Sequence, residues 1–484
     1  MLFNSYIFLL LFLPLTLIGF FGANKIGKHN LATAFLIVMS FWFYGYFNIS
    51  YLFILVGSII VNWGFSQILL MEKGKMDKVV LGVGVFANIA VIFYFKYYDF
   101  FLDNLNHIFK TSFELKNIVL PLGISFFTFQ QISFLLDSYR KETKGYRFIE
   151  YAAFVAFFPQ LIAGPIVLHN EIIPQLRDMN KRKYDHSNFA NGLYVLAVGL
   201  FKKVLIADTF GIAVSWAWGN VDALSSGEIW IVMLCYTFQI YFDFSGYCDM
   251  AIGIGKLFNI ELPINFNSPY KSFSIIEFWT RWHITLTRFL RTYIYFPLGG
   301  SRKGKIRTYV NIMIVFLISG IWHGANWTFI VWGMLHGLAQ VLTRLFKNTW
   351  EKCNKVFQWL TTFSFVNIMW LVFRSENLRQ ACDLLTRAFS MQSLEISSDF
   401  YNCFRLEEFS ICEMVWPWSR IVWHIQGVYM WLFLVAALFI CLNFSNVHEK
   451  CFRPTIAKAI GTIIMFVWGI ISLSGVSTFL YFNF

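Results

Sequence analysis

Charge is scarce in this 484-residue chain. Asp, Glu, Lys and Arg make up 14% of it, where a soluble globular domain carries about 25%, so an ordinary water-soluble fold is excluded. Cysteine supplies no framework. The eight are scattered at 235, 248, 353, 382, 403, 412, 441 and 451 with no CxxC pair, which leaves no metal-site spacing and no disulfide scaffold. Cys403 and Cys412 either pair across an oxidising loop or stand as two lone surface thiols. No small-residue cleavage site follows the first apolar run, 6–21, which therefore reads as a transmembrane helix retained on the chain and not as a removed signal. No GxSxG elbow, P-loop, HExxH or GxGxxG occurs in a suitable context. No repeat, low-complexity tract or long linker divides the chain. The net charge of +12 does not mark a nucleic-acid binder, because the basic residues fall in short clusters between apolar runs, as cytoplasmic loops of a membrane protein do.

Apolar surface is what the chain has in excess: 57% hydrophobic and 20% aromatic residues. At ~20 residues per span, helices are expected near 3–22, 31–49, 51–70, 79–97, 117–136, 188–208, 229–256, 356–373, 423–444 and 457–478. Two further apolar stretches are interrupted, 150–168 by Pro159, Gly164 and Pro165, and 308–345 by Gly320 and Gly324. The basic clusters Lys25/Lys28, Lys73/Lys75/Lys78, Arg140/Lys141/Lys144/Arg147, Arg177/Lys181/Arg182/Lys183, Arg302/Lys303/Lys305/Arg307 and Lys352/Lys355 belong in the cytoplasm. All are satisfied together only if both interrupted stretches enter and return on one side. The expectation is an all-α polytopic membrane protein of about ten transmembrane helices plus two re-entrant segments, with both ends outside and one membrane domain over 1–484. Irregular backbone at that depth must line protein or a water-filled cavity. The acidic loop 395–413, with Glu395, Asp399, Glu407, Glu408 and Glu413 against Arg405, suits the outer face.

Ionisable groups inside such a chain are costly and mark function. His323 stands at the turn of the second interrupted stretch, in GIWHGANW (320–327). It is either a core histidine bonded between helices or, neutral in an apolar cavity, a general base able to take a proton from a hydroxyl. Asn326 and Trp327 place an amide and an indole one turn away, and His336 is a weaker candidate. From 272 to 300 the chain reads as an amphipathic interfacial helix. Phe278, Trp282, Leu286 and Phe289 fall on one face, and Glu277, Arg281, Arg288 and Arg291 on another. That arginine face is either a lipid anchor or, with Arg302 and Lys303, a phosphate-binding surface for a cytosolic cofactor. His283 lies on the same segment. Asp243 and Asp249 sit within an apolar run ahead of Asn265 and Asn267. Buried carboxylates need partners, and an ion-pair network with nearby arginines is favoured there over direct catalysis.

YFDFSGYCDMAIGIGKLFNIELPINFNSPY (241–270), FWTRWHITLTRFLRTYIYFPLGG (278–300) and SGIWHGANWTFIVWGMLHG (319–337), taken with LPLGISFFTFQQISFLLDSYR (120–140), FFPQLIAGPIVLHNEIIPQL (157–176) and FLYFNF (479–484), closely resemble the membrane-bound O-acyltransferase superfamily. The likeness is to its bacterial alginate O-acetylation branch, and six such blocks in family order spread it over nearly the whole chain. The resemblance implies a ring of helices around a central funnel. It makes His323 the essential intramembrane histidine and His283 the second, polar one, and sets His169 near a further histidine of the alginate branch. The branch commonly has an Arg where Thr280 stands and an acid where Thr292 stands, a joint loss of opposite charges. Cys248 replaces a usual serine.

What the resemblance implies for function is an acyl-CoA-dependent O-acetyltransferase in the bacterial inner membrane, using acetyl-CoA and no metal. The acetyl group would pass to an extracytoplasmic polysaccharide or peptidoglycan hydroxyl, directly or through a periplasmic SGNH-type Ser-His-Asp acyltransferase working with a glycan synthesis or export complex. D-alanyl transfer to teichoic acid is the alternative within the class. A transporter with His323 and Asp243 as a proton relay, or a non-enzymatic export scaffold, is the alternative outside it.

Overall fold

The computed structural model describes residues 1–71, 74–406, 427–449, 452–474 and 479–480. Lys73, Glu407, Glu408, Cys412, Glu413, Cys451 and the last four residues of FLYFNF lie outside the described residues. The described residues are helical, with no strand among them, as an apolar solvent requires: a helix pairs its own backbone groups where no water can.

The chain runs through α1 (Ile7–Lys25), α2 (His29–Gly45), α3 (Ile49–Leu70), α4 (Lys75–Phe109) and α5 (Ile124–Tyr139). Short helices α6 (Phe148–Ala156), α7 (Phe158–Leu161) and α8 (His169–Arg177) precede α9 (His186–Phe201), α10 (Asp208–Gly219) and α11 (Ser226–Leu257). Then come α12 (Ile275–Arg281), α13 (Ile284–Leu290), α14 (Lys305–His323), α15 (Trp327–Leu345), α16 (Lys355–Arg374), α17 (Leu378–Ser390), α18 (Val428–Asn443) and α19 (Ile456–Ile471). Six of these, α1, α3, α4, α11, α14 and α16, are long and apolar enough to cross a membrane. The chain is an all-α polytopic membrane protein.

Several expected elements shift. The span expected at 117–136 begins as non-helical chain through 121 and becomes helical only at Ile124, after Pro121 and a left-handed Gly123 with φ +72°. A Cβ on Gly123 would meet the Leu161 carbonyl and Ile162 Cα, so that turn needs glycine. The single amphipathic helix expected at 272–300 is two short helices, α12 and α13, broken at Trp282–His283. His283 has φ +45°, a backbone that cannot continue a right-handed helix.

The described residues fall into two compact units. The first draws on Met1–Leu200, Tyr247–Ile264 and Phe452–Asn483. Its interrupted stretch is buried without a break from 150 to 167, meeting the condition for irregular backbone at membrane depth. Polar side chains join its helices: Asn62 Nδ2 donates to Gln131 Oε1 at 2.7 Å, and Asn88 Nδ2 to Asn62 Oδ1 at 2.6 Å. Such bonds hold helices together in lipid, where the hydrophobic effect does not.

The second unit draws on Phe201–Gly246 and Asn265–Cys451. Its centre is the hairpin α14–α15, two helices of 19 residues each, about 28 Å long at 1.5 Å per residue. They reverse over 324–326, so the second interrupted stretch is a helical hairpin. The helices meet backbone to backbone: a Cβ on Gly333 would run into the Phe316 carbonyl and Gly320 Cα. Gly333→Ala is therefore expected to destabilise the unit by about 1–3 kcal/mol. Gly461→Ala, where nothing lies within 4 Å, is expected to leave the melting temperature in detergent where it was; equal melting of both variants would contradict this packing.

In the same unit the Lys203 ammonium, 2% exposed, sits 2.7 Å from Asp208 Oδ1 and 2.7 Å from Asp243 Oδ1. The carboxylate of Asp243 thus has a lysine partner where the sequence pointed to arginine.

Candidate functional site

The hairpin turn positions the site. Gly324 is fully extended (φ −170°, ψ 161°), which ends α14 at His323. Asn326 then caps α15: its Oδ1 accepts the Thr328 N–H at 3.0 Å, and its Nδ2 donates to the Glu376 carbonyl at 2.6 Å. Both ends of that amide serve the turn. Trp327, the first residue of α15, is half exposed.

His323 is 6% exposed. Its ring is enclosed by Trp322, Trp332 and Phe373, with ring centres 5.0, 5.1 and 5.3 Å away. His283, forty positions earlier, is brought to 6.4 Å between ring centres, and Phe244 stands edge-on to it at 4.9 Å. The His283 Nδ1–H donates to Asn265 Oδ1 at 3.2 Å, the same oxygen that accepts the Thr285 N–H and hydroxyl. With Nδ1 carrying the proton, the imidazole lone pair is on Nε2. His283 lies between two short helices, outside the membrane-spanning ones, and burial pushes its pKa down to about 3, which keeps the ring neutral.

A cavity of about 230 Å³ opens in this unit. On α14 it is lined by Ile312, Val315, Phe316 and Ser319, a spacing that draws one helical face. His323 is the next residue on that face. Gln340 and Arg344 line it from α15, in a four-residue series that starts at Trp332 and passes through His336. Arg291, Tyr295, Trp279 and Thr280 close the remaining side. His336 accepts the Trp279 indole N–H on Nδ1 at 3.2 Å and packs against Trp332 at 4.7 Å. Ser319 Oγ is buried with no hydrogen-bond partner among the described residues. Arg291 and Arg344 have no carboxylate partner among them. The cavity is thus apolar along its length, with an open hydroxyl one turn from His323 and two guanidinium groups on its lining.

The other expected residues divide. Arg291 lines the cavity, Arg288 is half-buried one turn earlier, and Arg302 and Lys303 are exposed on the loop before α14. Arg281 bonds Glu277 Oε1 at 3.0 Å and the Asn267 carbonyl at 3.1 Å, and the Asn267 N–H bonds the Arg281 carbonyl at 2.9 Å. Asp249 and His169 belong to the first unit. There the His169 Nε2–H donates to Asp137 Oδ2 at 3.1 Å and Nδ1 accepts the Tyr146 hydroxyl at 3.3 Å. Arg344, Tyr295 and Ser319 were missed by sequence reasoning, although the four-residue series ending at Arg344 was a legible signal.

The sequence profile described as MBOAT, membrane-bound O-acyltransferase family, matches residues 26–376. The chain belongs to the membrane-bound O-acyltransferase family. As an acyltransferase it is 39% identical to the peptidoglycan O-acetyltransferase of Helicobacter pylori, over 100% of this chain and 98% of the other. It is 38% identical to the probable alginate O-acetylase AlgI of Pseudomonas putida, over 82% of each. The teichoic acid D-alanyltransferase of Bacillus subtilis is more distant, at 27% identity over 53% of this acyltransferase and 66% of its own length.

Proposed function

We propose that this acyltransferase takes acetyl from cytosolic acetyl-CoA and moves it across the bacterial inner membrane to a hydroxyl of an extracytoplasmic polysaccharide or peptidoglycan, directly or through a periplasmic Ser-His-Asp acyltransferase partner. The observation that carries the reading is the cavity that shares a helical face with His323 and ends one turn from it. Donor phosphates meet Arg291 and Arg344, with Arg288, Arg302 and Lys303 at the approach, and the thioester arm runs along the apolar wall to Ser319. Guanidinium forks suit phosphate oxygens. Arg281, already bonded to Glu277 and Asn267, braces the segment. The chain acts as one membrane domain, a reading supported by a family match that runs through both units.

At His323 the neutral imidazole takes the proton of the attacking hydroxyl, which adds to the thioester carbonyl; the carbon–sulfur bond breaks and the thiolate leaves with that proton. His323 acts as this base or as a transient acyl carrier, and His283 stands beside it as a second neutral imidazole. The aromatic enclosure excludes water, which would otherwise hydrolyse the thioester.

The deciding experiment offers the purified protein in nanodiscs two radiolabelled donors, acetyl-CoA and a D-alanyl carrier protein, with candidate glycan and partner added in turn. Acetyl-CoA consumption and labelled glycan support the reading; D-alanyl transfer alone would replace it with the teichoic-acid activity. No turnover with either would favour a transporter or scaffold. Arg344→Gln is expected to raise the acetyl-CoA KM about 10- to 100-fold, the loss of one charge-assisted hydrogen bond, with kcat little changed; an unaltered KM would remove Arg344 from the donor site.

A further inference from the structure

Neither His323 nor Trp332 lines the cavity. Its wall ends at Ser319 on α14 and at Trp279 on α12, and the Trp332 ring stands behind that end. The Trp332 ring centre is 5.7 Å from that of Trp279, on the cavity wall, and 5.1 Å from that of His323. One indole therefore separates the space proposed for the donor from the imidazole proposed as the base.

That indole has little freedom to retreat. Trp332 is wholly buried, with His336 at 4.7 Å, Phe373 at 5.2 Å and Trp370 at 6.0 Å between ring centres. Its backbone is held as well. The next residue, Gly333, is where α15 lies against α14, too close to the Phe316 carbonyl and Gly320 Cα to admit a Cβ. Interiors packed in this way do not stretch to take added volume.

The thioester carbonyl has to approach His323 for a hydroxyl to attack it there, so the acyl substituent is the part of the donor that meets this wall. An acetyl group presents a single methyl to it. Each further methylene would need volume that the indole fills, and a pocket distinguishes one methylene by about 10- to 200-fold.

We infer that Trp332 sets the length of the acyl group that this protein transfers, admitting acetyl and excluding longer straight chains. The assignment rests on the acyltransferase reading and gives Trp332 a part in donor specificity. The full chain in nanodiscs, with peptidoglycan fragments or a polyuronate as acceptor, would be given acetyl-, propionyl- and hexanoyl-CoA in separate reactions, and release of the CoA thiol followed.

Wild type is expected to cleave acetyl-CoA with a kcat/KM about 10- to 200-fold above that for propionyl-CoA, and to cleave hexanoyl-CoA more slowly still. Trp332→Ala is expected to bring hexanoyl-CoA within about 10-fold of acetyl-CoA, because the lost ring leaves an apolar space that an alkyl chain can fill. Trp332→Leu, which removes less volume, is expected to relax the propionyl ratio more than the hexanoyl ratio. A purely structural role would lower kcat/KM for all three donors together and leave their ratios unchanged, and that result would overturn the inference. So would wild-type cleavage of hexanoyl-CoA as fast as acetyl-CoA. Both outcomes leave the acyltransferase reading standing. No cleavage of any of the three by wild type would count against that reading itself and remove this inference with it. If Trp332→Ala fails to fold, the wild-type series and Trp332→Leu decide: an unrelaxed propionyl ratio in the leucine variant overturns the assignment.

Discussion

Substituting alanine for His323 is expected to lower acetyl transfer about 10²- to 10⁴-fold, the range that a positioned general base contributes. The loss should fall on kcat and leave the acetyl-CoA KM largely in place, because the guanidinium groups proposed to hold the donor stand elsewhere, Arg291 after α13 and Arg344 about three helical turns along α15 from Trp332. The histidine ring packs against Trp322, Trp332 and Phe373, and the Gly320–Gly333 approach that fastens the hairpin does not involve it. Thermal unfolding within a few degrees of wild type would therefore accompany the kinetic loss. Transfer undiminished in a well-folded His323→Ala protein would move the base elsewhere, with His283 the first alternative at 6.4 Å between ring centres.

The second large effect is on stability. Lys203→Met is expected to cost about 3–5 kcal/mol, because it removes the ammonium from two carboxylates that the interior holds at 2.7 Å; breaking a buried pair from one side strands charge. The triple variant Lys203→Met/Asp208→Leu/Asp243→Leu should recover much of that loss, since an apolar replacement of a whole buried ion group is often close to neutral. Denaturant unfolding in detergent micelles gives both numbers. A Lys203→Met protein as stable as wild type would mean that the pair contributes little.

Much of this was readable in advance. The run of apolar segments and the basic clusters between them indicated a polytopic helical protein. Gly324 marked the interruption that became the turn of a hairpin with His323 at its end, whereas Gly320, also expected to interrupt, lies within α14 and lets Gly333 approach. Other features were not readable. Amphipathic periodicity over 272–300 suggested one helix, and nothing in that pattern records that His283 adopts a left-handed backbone and splits it. Arginine was the expected partner of Asp243, because arginines crowd the following segment; the lysine that binds it comes from an earlier helix. Asn326 looked like a reagent by its nearness to His323, yet both ends of its amide are spent on the turn.

By itself the sequence determined the solvent, the helical class and the family, because these depend on local composition, on periodicity and on motifs read along one stretch. Tertiary structure alone decided that His283 stands beside His323, that Arg344 and Ser319 share a cavity with Arg291, and that Trp279 packs against Trp332. Those groups come from segments tens of residues apart. No pattern within a single helix carries the packing that joins them.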